Sequence, residues 1–275
     1  PESYIFMRDG VSTVAYDGQK CRVNQAAELM NNAFTNPANA GMLDEMIQSG
    51  TGFNISYCTD QKIGNKIAAS GDDVVGGSVF QGWMSDIVND LESNVFPAWD
   101  SPASAGVAGV IGERYVNAHG LEPNQAFTKG LIGAMCLDQI TNKYTHPDYQ
   151  ASQDNTPGDG YTDMEHKWDE GMGYLFGMDQ LANISGLSYS ASGDVLLLKY
   201  AYKIGDDVVE DLYDLFIEGR HAIVIEDYTT RDEAAVEIKE ILDGIIMQKS
   251  ADYLRGGAEG IAAAMNCVED DAGAA

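Results

Sequence analysis

The apolar positions of this chain recur first at every second residue and then at every third or fourth. Tyr4-Ile5-Phe6-Met7 and Val11-Ser12-Thr13-Val14-Ala15-Tyr16 flank Asp9-Gly10, and Asp17-Gly18 follows. This alternation around a turn dipeptide predicts a small N-terminal β-hairpin. From there the period is helical. Val23, Ala26, Ala27, Met30 and Phe34 share one face, as do Met42, Leu43, Met46 and Ile47. Phe80, Trp83, Met84, Ile87, Val88 and Leu91 predict a longer helix that stops before Pro97. Residues 97–120 are punctuated by Pro, Gly, Ser and Ala and read as loop. Pro123 stands where a helix begins, and the helix runs through Ala126, Leu131, Ala134, Met135 and Ile140.

Residues 146–161 carry His146-Pro147, Pro157-Gly158 and Asp159-Gly160 and read as a linker. Two later helices announce their starts with a Thr-x-x-Glu capping box, at Thr162-Asp163-Met164-Glu165 and Thr230-Arg231-Asp232-Glu233. Between them Val208, Val209, Leu212, Phe216 and Ile223 mark another helix. The last one takes Ile238, Ile241, Leu242, Ile245 and Ile246 and is expected to end near Gly256-Gly257. The sum is a mostly all-α bundle with one small hairpin. It forms a single domain over 1–275, with 1–145 and 162–275 as candidate sub-bundles on either side of the linker.

Charge changes this picture more than composition does. Sixteen Lys and Arg against 43 Asp and Glu leave a net charge of -27. Such a field repels phosphate backbones and anionic lipid and attracts cations, so nucleic acid is excluded as a partner class and metal ions are favoured. Solubility in a salty medium is the plain alternative use of the same charge. Apolar runs such as Val195-Leu196-Leu197-Leu198 are far short of a membrane span. The chain opens at Pro1 without a signal-like segment, which reads as the mature or trimmed form of an exported protein. Cys21, Cys58, Cys136 and Cys267 lack CxxC spacing, so a zinc knuckle is not expected. Two disulfides fit an oxidising compartment, with Cys21 and Cys58 the nearest pair in sequence.

Chemistry concentrates in Glu165-His166-Lys167-Trp168-Asp169-Glu170 and the glycines that follow, Gly171, Gly173 and Gly177. On a helix His166 and Glu170 lie one turn apart with Asp169 beside them, an imidazole and hard oxygens suited to iron or zinc. The plain alternative is a His166–Glu170 hydrogen bond on a helix surface, with Glu165 as a cap. A hydrolase using His166 with Asp169 is a third reading, and it lacks a visible nucleophile. Glu218 and His221 have the Glu-x-x-His spacing of carboxylate-bridged iron bundles, in one copy only. The same stretch holds Arg220, which would pair with an acid such as Glu218 or Asp232. Asp154, Asp159 and Asp163 offer oxygens around a glycine-containing bend, a loose calcium pattern. GxGxxG, Walker, GxSxG and HExxH motifs are absent from the sequence.

Five stretches together resemble one family. They are Tyr16-Asp17-Gly18-Gln19 with Arg22-Val23-Asn24; Lys129-Gly130-Leu131-Ile132-Gly133-Ala134 with Gln139; the Glu165–Gly177 block; Glu218-Gly219-Arg220 with Ala222-Ile223; and Tyr228 through Glu233. In that order they resemble domain of unknown function 4856, a family of bacterial envelope and surface lipoproteins. The resemblance implies kinship with imelysin-like helical envelope proteins tied to iron acquisition and marked by Gly-x-His-x-x-Glu. Here Met164 stands in the glycine position, and Asp169, followed by Glu170, stands in the glutamate position. The resemblance thus implies a periplasmic, cell-surface or extracellular iron-binding protein. Its candidate ligands are His166, Asp169 and Glu170, and its partner would be an outer-membrane uptake or surface protein. The rival reading is a structural or surface-interaction protein of the envelope without a small ligand.

Overall fold

The computed structural model describes residues 7–8, 11–12, 16–55, 61–69, 77–158, 160–176 and 196–272. Two strands, β1 (Met7–Arg8) and β2 (Val11–Ser12), pair antiparallel with Met7 opposite Ser12. The outer residues of the predicted hairpin, 4–6 and 13–15, lie outside the described ones. Tyr16, expected to end the second strand, instead opens a helix, so the strand-to-helix change comes earlier than the alternation suggests.

Helix α1 (Tyr16–Glu28) passes into a wide π turn at Leu29–Ala33. Short α2 (Leu43–Ser49) is followed by α3 (Gly77–Asp90), which widens at Leu91–Val95 before Pro97. Pro123 opens α4 (Pro123–Leu131) at its first turn, where a missing N–H costs nothing. Two wide stretches, Ile132–Leu137 and Ile140–Tyr144, carry α4 onward. Then come α5 (Pro147–Ala151), α6 (Asp163–Phe176), α7 (Leu197–Ile204), α8 (Asp206–Val224) and α9 (Tyr228–Ala272).

Four local expectations are corrected. The stretch 97–120 contains a second antiparallel hairpin, β3 (Gly109–Ile111) with β4 (Arg114–Val116), in which Val110 faces Tyr115. Gly112, at φ 62°, supplies the left-handed turn residue such a tight connection needs. Inside the supposed linker, Pro147 starts α5, and the Asp148 N–H donates to Nδ1 of His146 at 3.3 Å. Helix α9 does not stop at Gly256-Gly257. A helical glycine costs only about 1 kcal/mol against alanine, and neither glycine takes the left-handed conformation of a cap. Its start also differs. Asp227 caps it, taking the Thr230 N–H at 3.2 Å and the Thr230 hydroxyl at 2.8 Å, so Thr230 is a donor to the cap and not the cap itself.

One continuous core runs through the chain, from Val23 on α1 and Leu29 in the turn after it, through Phe127 and Leu131 on α4 and Trp168 on α6, to Ile238 and Ile245 on α9. Its aromatic centre is a set of edge-to-face rings: Trp168 with Phe216 at 6.0 Å, Phe216 with Phe176 at 6.1 Å, and Phe176 with Tyr213 at 5.7 Å. Trp83, expected on the apolar face of α3, is 60% exposed. Among the described residues no helix is long and apolar enough to cross a membrane.

Candidate functional site

Helix α6 begins as its sequence dictates. The Glu165 N–H donates to the Thr162 hydroxyl at 3.2 Å, and Glu165 Oε2 takes the Thr162 N–H at 2.8 Å, a reciprocal capping box. Successive residues then turn by about 100°. Glu165, Trp168, Asp169 and Met172 fall on the side facing α8 and are fully buried.

Arg220 on α8 meets that side. Its Nη1 donates to Glu165 Oε1 at 2.9 Å and its Nε to Asp169 Oδ1 at 3.0 Å. Glu165 therefore serves twice, one oxygen on the cap and the other on the guanidinium. The Trp168 indole N–H donates to the Phe216 carbonyl at 2.9 Å, and its ring covers the backbone of Gly219. On the remaining sides, a Cβ added to Gly171 would stand 3.1 Å from Tyr144 and 3.2 Å from Thr145, and one added to Gly173 would stand 3.1 Å from Gln19, so both glycines make room for these neighbours. Gly177 lies outside the described residues.

His166 and Glu170 project to a different, half-buried side. His166 Nε2 lies 3.6 Å from Glu170 Oε1, and the imidazole stacks on Tyr161 at 5.3 Å. The other Glu170 oxygen takes a hydrogen bond from Lys167 Nζ at 3.1 Å. This corner is rich in cations. Lys66 donates to the Tyr144 hydroxyl at 3.0 Å, Lys143 sits 5.4 Å above the Tyr144 ring, and Arg22 donates to the Tyr174 hydroxyl at 3.3 Å. Burial, and then the charges of Lys143 and Arg22, push the Lys66 ammonium down to about 8. Burial also raises the Tyr144 and Tyr174 phenols above their ordinary value.

The fold thus brings His166 and Glu170 together and gives Asp169 to Arg220. On the helix Asp169 is turned about 60° from His166 and about 100° from Glu170, which points it at α8. The same contact removes it as an orienter for His166 in a hydrolase. Arg220 takes Glu165 and Asp169 where Glu218 or Asp232 was expected; Asp232 instead accepts from Arg231 at 2.6 Å. Spacing along one helix could show that Arg220 wants an acid, but not that α6 supplies it.

Glu218 and His221 are both exposed on α8. Asp154 and Asp163 are exposed as well, and Asp154 accepts from the Thr156 hydroxyl and N–H at 2.7 and 2.9 Å. Asp159 lies outside the described residues. Among the described residues no group of three His, Cys, Asp or Glu is placed to hold a metal ion. Cys21 is disulfide-bonded, and Cys136 is a buried thiol. Cys58, the expected partner of Cys21, lies outside the described residues, as does the side chain of Cys267.

The model of one family, described as Domain of unknown function (DUF4856), matches residues 1–271. No curated protein and no solved structure matches the chain. The chain belongs to the DUF4856 family.

Proposed function

We propose that this member of the DUF4856 family is an exported, non-catalytic interaction protein of the cell envelope or extracellular space, in which the Glu165–Gly177 block is architecture. The observation that carries this reading is Arg220, which engages both buried acids of the block. Carboxylates held that way link α6 to α8 and are not offered to a ligand. Trp168 and Gly171 are likewise consumed by packing. The disulfide at Cys21 supports an oxidising compartment. The -27 charge suits a cationic partner or a salty medium and disfavours nucleic acid and anionic lipid.

A second reading, binding of iron or zinc for uptake in the imelysin-like manner, is favoured by the His166–Glu170 pair at 3.6 Å. Against it stand the Lys167 ammonium already on Glu170 and the neighbouring Lys66, which repel a second cation. Elemental mass spectrometry of protein purified without chelator, followed by iron, zinc and calcium titration of the stripped form, separates the two. Architecture predicts no stoichiometric iron or zinc, and an Asp169→Asn protein that melts earlier. Stoichiometric iron or zinc that disappears in a folded His166→Ala/Glu170→Ala protein would overturn it and install the metal reading. Calcium alone would point to the 154–163 loop.

A further inference from the structure

Away from the α6 corner, α4, α7 and α9 border an open cleft of about 320 Å³. Its walls are largely apolar, with Ile132 from α4 and Ile246 from α9. Gly133, in the wide turn of α4, leaves its side open: an added Cβ there meets nothing within 4 Å. Wide turns of this kind break the regular helix surface and often border binding sites.

One end of the cleft is polar and positive. Lys129 Nζ donates to the Tyr253 hydroxyl at 2.8 Å and lies 4.6 Å from that ring's centre. Lys249 lies 5.1 Å from the Tyr253 ring and 5.6 Å from the Tyr200 ring, and Lys203 is 5.7 Å from Tyr200. The two hydroxyls are 3.3 Å apart. Three of the chain's 16 basic side chains thus converge on two phenols in a protein of charge -27. Among the described residues the acid paired with this group is Asp252, 3.8 Å from Lys249, and it is shared with Arg255 at 2.7 Å. Among the described residues Lys129 has a phenol and no carboxylate as its partner. Burial raises the Tyr253 phenol, but its hydrogen bonds with Lys129 and Tyr200 and the two lysine charges bring it below its ordinary value, which makes it a stronger donor.

We infer that this cleft binds a small amphipathic carboxylate, its head group held by Lys129, Lys249 and Tyr253 and its aryl or alkyl body lying on Ile132 and Ile246. A largely apolar cleft with a few converging donors at one end is the usual form of such a site. A carboxylate matches the donors better than a phosphate. The local surplus is a few ammonium groups without an arginine fork, and the apolar walls would leave a dianion poorly solvated.

The test uses the whole chain and 4-phenylbutyrate as probe, with 4-phenylbutyramide as its neutral counterpart, followed by the methyl NMR signals of Ile132 and Ile246. The carboxylate should saturate and shift both residues, and the amide should bind about tenfold more weakly or worse. Lys129→Gln/Lys249→Gln should lose at least that factor while melting as the parent does. Gly133→Leu, which fills the cleft while keeping both lysine charges, should abolish the shifts. Equal binding of acid and amide, unchanged affinity in the double lysine variant, or shifts that persist in Gly133→Leu would each overturn the assignment. So would the absence of saturation with the carboxylate.

Discussion

A methyl group on Gly219 would stand 2.0 Å from Cζ2 of Trp168, with two further ring atoms within 2.8 Å. Neither partner can move easily. Trp168 is fully buried and tethered through its indole N–H to Phe216, and Gly219 lies inside α8. Glycine at this position therefore serves the neighbouring helix, at the expense of α8's own helix propensity.

Gly219→Ala should accordingly destabilise the protein by about 3 kcal/mol or more, at the upper end of overpacking effects. Combining it with Trp168→Phe, which removes the crowded ring atoms, should cost less than the two single changes added together. Urea unfolding of the four proteins measures this, and strict additivity would contradict the contact.

Arg220→Met takes the shared cation from two carboxylates that have no solvent exposure. The expected loss is about 3–5 kcal/mol, the range for breaking a buried pair from one side. Converting the acids as well, with Glu165→Gln and Asp169→Asn, should recover a large part of it, because neutral amides are cheaper to bury. A thermal melt in which Arg220→Met alone matches the parent would show that the network is not what joins α6 to α8.

Lys66 should be the most readily acylated of the described lysines near pH 8. Its ammonium is brought from 10.5 down to about 8, first by burial and then by neighbouring cations. An amine-selective reagent followed by peptide mass spectrometry should give half-maximal labelling at about that pH. The stability consequence has a definite sign. Between 8 and 10.5 the unfolded chain holds a proton that the folded one has released, so this group's contribution improves as pH rises through that window. Below 8 its burial cost is constant. In Lys66→Met that slope should vanish.

The cap of α6 and the cap of α9 make separable predictions. Thr162→Ala removes the acceptor for the Glu165 N–H and should cost about 1 kcal/mol. At α9 the aspartate matters, so Asp227→Ala should lower the melting temperature more than Thr230→Ala. The Thr230 hydroxyl and N–H hold the Asp227 carboxyl below its ordinary 3.8. Its contribution is therefore present above that pH and fades as the folded carboxyl protonates. The gap between parent and Asp227→Ala should close on acidification, and a gap that persists would exclude the cap.

The helices were legible where an apolar face coincided with a local start signal, as at Pro123 and at Thr162 with Glu165. Both signals act within a few residues, through backbone groups that any helix leaves unsatisfied. The β3–β4 hairpin was missed, although Gly112 between two short apolar runs was the available clue, because each strand is only three residues long. Stop signals proved weaker than start signals. Gly256 and Gly257 permit a cap but do not force one, and α9 passes through them.

Of the α6 block, the sequence by itself determined that His166 and Glu170 share a face and that Thr162 and Glu165 close a cap. These follow from the 3.6-residue turn and the chemistry of helix ends. Only the tertiary structure decided that Arg220 reaches back 51 and 55 residues to Asp169 and Glu165, and that Gly219 makes room for Trp168. It also decided that Lys129 and Lys249 meet across the α4–α9 cleft at Tyr253. Charge pairing and steric fit depend on distance in space, and no local periodicity encodes which distant helix will supply the partner.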